Sequence, residues 1–447
     1  MLRMMCGSIC AIPKERRSEM SWALIVFIFF FIVMFIFRIP IPFGFIVASF
    51  FYMLVKGLDL SLVASNVVEN LWSKYVIMAV PLFIFTAKVM NTGKVTDKIF
   101  NFANALVGNR PGGLGHVNVL ASLIFSGMTG SAIADASGLG TMEIEQMRKN
   151  NYGGGFSCAI TSASATIGPV FPPSIPMILY SMLSGASVGA LFLGGMVPGI
   201  LLALALMAFI QIIAKKRNFP RGKGYTFKEL IKYTLEAFPA LLTPIILLGG
   251  IYTGIMTPTE AGAVAAAYAI IISLFWYRSL TFRELLDVII DTIKTTGAIS
   301  LIAGAAFNVV YIVSREQIPQ MTSSLILGFT NNPFVFLLMV NVIFLVLGMV
   351  IPVLPLILVF IPIVLPIVNE FGISLTHFGV VIVLNIMIAL STPPYGTLLF
   401  ITSGISDVPI GEIIKEIFPM IIVSIIVLLL ITYIPDLVMF LPRLLGQ

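Results

Sequence analysis

Between Lys149 and Lys215 the chain carries no aspartate, glutamate, lysine or arginine, a run of 65 residues, and a second run of 53 separates Glu316 from Glu370. An apolar helix that crosses a bilayer takes about 20 residues, so either run has room for two crossings. Of all 447 residues 59% are hydrophobic and 10% charged, with a mean hydropathy of +1.06; soluble domains carry about 25% charged residues. In hydrocarbon each backbone N–H and C=O needs a partner inside the protein. The chain therefore reads as an all-α polytopic membrane protein.

Cys6, Cys10 and Cys158 are too few and too unpatterned for a disulfide framework or a zinc site. The net charge of +6 does not point to nucleic acid, because the basic residues sit in short connectors and form no continuous stripe. They orient the chain instead. Lys215, Lys216, Arg217, Arg221, Lys223, Lys228 and Lys232 mark their loop as cytoplasmic by the positive-inside rule. Residues 1–19 have no apolar core of signal-peptide length and read as an extension ahead of a start at Met20. Apolar blocks then follow one another from Trp22 to Phe440. Two segments differ: Tyr225 to Leu235 and Thr281 to Ile293 interleave charges with Leu, Ile and Tyr at helical spacing, the pattern of helices lying at a membrane surface.

An internal repeat organises the rest. Gly127-Met128 recurs as Gly348-Met349, Pro172-Pro173 as Pro393-Pro394, and Pro198 as Pro419, each 221 residues on. The spacing defines two halves, 75–214 and 298–440, joined by a connector over 215–297.

Each half is interrupted twice where a membrane helix should be continuous. The first has Ser126-Gly-Met-Thr-Gly-Ser131, running on to Asp135, and then Thr166-Ile-Gly-Pro-Val-Phe-Pro-Pro-Ser174. The second has Gly348-Met-Val-Ile-Pro352 and then Ser391-Thr-Pro-Pro-Tyr-Gly396. Proline removes an N–H and glycine permits sharp turns. One such cluster is a kink or a close helix crossing; four, paired by the repeat, are better explained as broken helices. Backbone groups freed at membrane depth are tolerated only in protein or along a cavity. Uncharged carbonyl and hydroxyl oxygens suit a hard monovalent cation, and broken helices of repeated halves are where secondary transporters bind substrate and coupling ions. Sodium is the cation expected.

Asp135 is the only acid between Lys98 and Glu143, and it reads either as an ion or proton ligand or as a helix cap. Thr257-Pro-Thr-Glu260 is a capping box with proline at the first helical position, so Glu260 is structural. His116 and His377 have no partner at metal spacing. Ser162, Ser164 and Ser174 are the imaginable nucleophiles of an intramembrane hydrolase, but no motif pairs them with a base. No phosphate-binding loop of the Gly-x-x-x-x-Gly-Lys-Ser/Thr type is present. The driving energy then comes from an ion gradient or a partner; one sodium ion crossing 100 mV supplies about 2.3 kcal/mol.

Taken together, Asn109-Arg-Pro-Gly-Gly-Leu-Gly115, Gly130-Ser-Ala-Ile-Ala-Asp135, Ile167-Gly-Pro-Val-Phe-Pro-Pro-Ser-Ile175, Gly254-Ile-Met-Thr-Pro-Thr-Glu-Ala261 and Thr392-Pro-Pro-Tyr-Gly396 resemble the DctM-like large membrane subunit of tripartite ATP-independent periplasmic (TRAP) transporters, over nearly the whole chain from Met20. The resemblance implies sodium-driven uptake of an organic acid, such as sialic acid or a C4-dicarboxylate, across a bacterial or archaeal inner membrane. It also implies two partners, a periplasmic substrate-binding protein and a small four-helix membrane subunit. The implied fold is an inverted repeat with two re-entrant hairpins and two broken helices, moving as an elevator against a scaffold. Scaffold helices would occupy 20–74, the connector 215–297 would hold arm helices and further scaffold spans, and 441–447 would be a tail. By motif, one sodium site would involve Ser126, Gly127, Gly130, Ser131, Asp135, Thr166, Gly168, Pro169 and Pro173. The other would involve Gly348, Pro352, Thr392, Pro393 and Gly396. Pro352 departs from the family, which often has an acid there, and Lys88 stands where a small or acidic residue is commoner. The substrate ligands are not legible: helix N-termini, bound sodium, or one of Arg38, Lys88 and Arg315 could provide the positive potential. Self-sufficient carboxylate transport, a passive channel and an intramembrane enzyme are the rival readings.

Overall fold

A computed structural model describes residues 21–37, 39–73, 75–91 and 93–446; the extension 1–19, Met20 and Arg38 lie outside them. The described regular elements are helices, apart from one isolated bridge between Pro111 and Arg221. The apolar pair α1 (Trp22–Ile36) and α2 (Ile41–Lys56) pack on each other and are followed by α3 (Ser61–Ser73), a 3₁₀ turn and α4 (Ala79–Met90). The first half continues with α5 (Gly93–Val107), α6 (Gly113–Thr129), the short α7 (Ala132–Ser137), α8 (Leu139–Lys149), α9 (Gly154–Ala165), α10 (Ile175–Ser184) and α11 (Val188–Arg217). After α12 (Phe227–Tyr252), α13 (Pro258–Ile271) and α14 (Phe282–Arg315), the second half runs through α15 (Ile318–Phe329), α16 (Pro333–Gly348), α17 (Val353–Glu370), α18 (Leu375–Leu390), α19 (Thr397–Ser406) and α20 (Ile410–Tyr433), and α21 (Asp436–Leu444) follows. Six described helices are long and apolar enough to cross a membrane: α11, α12, α13 with the π-turn that extends it to Trp276, α14, α17 and α20.

Hydrogen bonds at the helix ends show how the two hairpins are inserted. At the start of α6, Gly112 N–H donates to Pro220 O at 3.3 Å, and just beyond α8, Tyr152 Oη donates to the same carbonyl at 3.3 Å. Both ends of the α6–α8 hairpin thus rest on the basic loop that follows α11. The α16–α17 hairpin closes elsewhere: Ser323 of α15, the helix that leads into it, donates to Glu370 at the end of α17 at 2.7 Å. The two closures lie at opposite ends of α11: Tyr180 of α10, which leads into its start, donates to Leu375 O just past α17 at 2.8 Å, whereas Pro220 follows its last turn, and its 30 residues span about 45 Å at 1.5 Å per residue. The hairpins enter from opposite sides.

The repeat reappears in the packing. α6 lies on α9 and α16 on α18; α9 also lies on α20, and α18 on α11. The tails are exchanged, with α10 against α17 and α19 against α7 and α8. At the centre, α9 from Gly155 to Ala165 and α18 from His377 to Leu390 are buried throughout.

The two amphipathic segments differ from expectation. Tyr225 to Leu235 and Thr281 to Ile293 are not separate surface helices but the opening turns of α12 and α14, each started by a capping box, Thr226 with Glu229 and Thr281 with Glu284. Pro239 and Pro244 in α12 and Gly297 in α14 follow these segments, yet both helices run on through them into their apolar turns. The elements that lead into the hairpins are α5 and α15. α5 buries Val95, Ile99, Phe100, Ala103 and Val107 at three- and four-residue spacing, packed on α12 and α6.

Candidate functional site at the hairpin tips

Both central helices break at the repeated Pro-Pro pair. α9 tightens into i to i+3 bonds, Ile167 N–H to Ser164 O at 2.9 Å and Gly168 N–H to Ala165 O at 3.1 Å; Pro169 offers no N–H, and Val170 and Phe171 make the last turn bonds, both to Ile167 O, at 3.0 and 2.8 Å. α18 does the same, with Ser391 N–H to Ile388 O at 3.1 Å and Thr392 N–H to Ala389 O at 3.0 Å. The Pro172–Pro173 and Pro393–Pro394 bonds are both cis. The helices restart at Ser174, which caps α10 through its side chain, and at Gly396, which opens α19 with φ +42°.

The tip of the first hairpin lies directly on the first break. Gly130 ends α6 with φ +59°, and a Cβ built on it would stand 2.5 Å from Pro173 O. Its carbonyl accepts Ile175 N–H at 3.5 Å. A Cβ on Gly168 would stand 3.4 Å from Ser131 C and 3.5 Å from Ala132 N. The contact is therefore backbone on backbone, which only glycine permits. Ser131 and Ser174 cap α7 and α10 in matching extended conformations, φ −138° and −140°, and Ser174 Oγ also donates to Pro169 O. Gly127, one turn back, faces α12: a Cβ built on it would stand 3.0 Å from Pro244 Cβ.

Most hydroxyls here are already used. Ser126 Oγ donates to Leu123 O at 2.6 Å and Thr166 Oγ1 to Ala163 O at 2.6 Å. Thr129 is the exception: it is fully buried at the end of α6 and its Oγ1 has no partner. A buried hydroxyl without a partner costs about 1–3 kcal/mol, so its oxygen is available to a ligand. Nothing in Gly127-Met-Thr-Gly130 distinguishes this threonine by sequence, and it was not among the expected residues. It directly precedes Gly130, and its hydroxyl, like the carbonyls of the tip and break, is a neutral oxygen.

At the second tip, a Cβ on Gly348 would lie 2.7 Å from Ala389 Cβ, one turn before the break in α18. Thr392 is buried and its Oγ1 donates to Ile388 O at 2.7 Å. A Cβ on Gly396 would lie 3.2 Å from Thr392 O, and Pro393 is half-buried beside it. Pro352 stands differently. It is exposed at the start of α17, and its carbonyl accepts Leu356 N–H at 3.1 Å, a bond of its own helix.

Asp135 lies one turn past the tip in α7, its N–H donating to Ser131 O at 3.1 Å, and is buried beside Ser122 and within electrostatic reach of Glu143. The other singled-out residues have structural partners. Glu260 completes its capping box with Thr257. His116 bonds Gln211 at 3.2 Å and His377 bonds Ile431 O at 2.8 Å. Lys88 joins α4 to α14 through Asp291 and Thr295, and Arg315 donates to Tyr311 Oη at 3.2 Å. Ser162 pairs with Thr402 at 2.9 Å and Ser164 with Asn118 at 2.7 Å.

Comparison with known proteins agrees with this architecture. Residues 28–437 match the family described as Tripartite ATP-independent periplasmic transporter, DctM component. The chain is 39% identical to the sialic acid TRAP transporter large permease protein SiaM of Vibrio cholerae, over 91% of this chain and 95% of that one. It is 36% identical to the C4-dicarboxylate TRAP transporter large permease protein DctM of Pseudomonas aeruginosa, over 83% and 87%. A TRAP transporter permease protein of Haemophilus influenzae, SiaT, is 38% identical over 97% of this chain and 70% of its own length. The fold is shared with the Alcanivorax borkumensis YdaH transporter, at a TM-score of 0.58 and 14% identity over 83% of this chain and 88% of that one. A match across nine-tenths of the chain, on a fold of opposed hairpins and broken helices, establishes that this multi-pass membrane protein belongs to the DctM family of TRAP transporter large permeases.

Proposed function

We propose that the protein imports a small organic acid across the inner membrane, driven by sodium and supplied by a periplasmic substrate-binding protein, in complex with a small four-helix membrane subunit. One observation carries this reading: two hairpins entering from opposite faces bring backbone oxygens onto two broken helices, with no charged side chain in either tip or break. Sodium would be held at the first crossing by Thr129 Oγ1 and carbonyls of the tip and break, and at the second by carbonyls around Gly348 and Thr392. Bound sodium supplies positive charge there, and the N-termini of α10 and α19 add their dipoles for an anionic carboxylate.

The hairpins with α9, α10, α18 and α19 would move as one unit against α1, α2 and α12 to α14. Smooth contacts such as Gly127 on Pro244 suit sliding. On the face opposite the basic loop, a crevice of 560 Å³ separates the α10–α11 turn from Ile251, Met256 and Pro258, as two bodies that move apart require. Relatives named for sialic acid and C4-dicarboxylate transport support a carboxylate substrate. Reconstituted with the small subunit, the protein should accumulate its acid only when the binding protein is added. Uptake of free substrate at the same rate without it would support the self-sufficient transporter instead.

A further inference from the structure

The first hairpin buries two acids that neither the crossing nor the helix caps employ. Asp135 and Glu143 are each 1% exposed. Both oxygens of Asp135 and Oε1 of Glu143 have no hydrogen-bond partner within 3.5 Å, and the groups that approach the pair are neutral: Ser122 beside Asp135, and Asn118 Nδ2, which donates to Glu143 Oε2 at 2.7 Å. Asn118 Nδ2 also reaches Thr161 Oγ1 at 2.7 Å, Asn118 Oδ1 accepts from Ser164 at 2.7 Å, and Ser122 donates to Ser164 at 3.2 Å. Asp135 lies within electrostatic reach of Glu143 and beside Ser122. Buried carboxylates are normally paired or metal-bound, because an uncompensated charge out of water is strongly unfavourable.

The second half shows that holding a hairpin on its broken helix does not need acids. Asn385, 221 residues after Ser164, donates to Asn341 of α16 at 2.8 and 3.0 Å, and Asn341 donates to Thr432 at 3.0 Å. That staple is neutral. The acids of the first half are an addition to the same design, and three of their oxygens are bare.

We propose that Asp135 and Glu143, with the Thr161 hydroxyl, form a sodium site inside the first hairpin, separate from the two crossings. The proposal rests on the sodium-driven reading above. No group of three or more His, Cys, Asp or Glu residues among the described residues could hold a metal ion, and two carboxylates with neutral hydroxyls suit a monovalent ion better than zinc or calcium. A bound sodium reduces the negative charge that the hairpin carries as it moves. Loading of this site is thereby linked to movement.

The test is sodium-22 binding and melting temperature on the purified complex, comparing wild type with Glu143→Gln and Asp135→Asn. Each variant should bind one sodium fewer, need no sodium to match or exceed the wild-type melting temperature in sodium-free buffer, and lose part of the sodium-induced rise. Wild type that binds no sodium would overturn the sodium-driven reading itself. If wild type binds sodium and both variants keep the full number with unchanged half-saturation, the site alone falls. Variants that melt lower in sodium-free buffer would also overturn it, because the acids would then be structural.

Discussion

Gly130→Ala should reduce sodium-driven uptake to about a tenth of wild type or less, measured per folded complex in proteoliposomes. Two costs combine. An L-residue in the left-handed region, where Gly130 sits with φ +59°, costs about 1–2 kcal/mol. The added Cβ would also stand 2.5 Å from Pro173 O, closer than real contacts allow, and the opposing atom is backbone of the first break. The tip must lift away, and every carbonyl presented at that crossing moves with it; 1.4 kcal/mol lost there is already a factor of about ten. Gly185→Ala is the control. Gly185 has φ +75° but nothing within 4 Å of the new Cβ, so it carries the backbone strain without the clash, and uptake per folded complex should remain near wild type. Equal loss in both would mean that strain anywhere in this half is sufficient and that the crossing has no special part.

Thr129→Val should raise the sodium concentration for half-maximal uptake about tenfold, while maximal rate at saturating sodium changes little. Valine has the shape of threonine without the hydroxyl, and that hydroxyl is buried and unpartnered. Interactions with a charged group contribute about 1.5–3 kcal/mol, so a lost ligand is readable as a tenfold shift or more. In sodium-free buffer the variant should be at least as stable as wild type, because it no longer buries an unsatisfied oxygen. Thr129→Ser restores the oxygen and should restore the sodium dependence. An unchanged half-saturation in Thr129→Val would remove this hydroxyl from the site.

Much of the architecture was legible because proline and glycine act locally. The Pro-Pro pairs at 172 and 393 end helices wherever they stand, and Thr257 to Glu260 is a cap by its own chemistry. Helices that follow a break inside an uncharged run were harder to see: α10 and α19 are short, and nothing but hydrophobicity marks them. α5 has a polar face that resembles a connector, and the charged openings of α12 and α14 resemble surface helices because Pro239 and Gly297 stand just behind them, where packing carries both helices on. The exchange of partners, α10 on α17 and α19 on α8, is non-local and leaves no period in the sequence. The same holds for the site. Gly130 and Gly168 could be chosen from the motif, but the free hydroxyl of Thr129 and the company of Asp135 are consequences of packing. Pro352, chosen by its position in the repeat, is turned into its own helix.

The most direct measurement of the central claim is substrate accumulation in proteoliposomes holding the protein with its small subunit, with substrate-loaded binding protein outside. An inward sodium gradient should drive accumulation above the external free concentration, and equal sodium on both sides or potassium in its place should not. Accumulation of the same size without a sodium gradient would contradict the account.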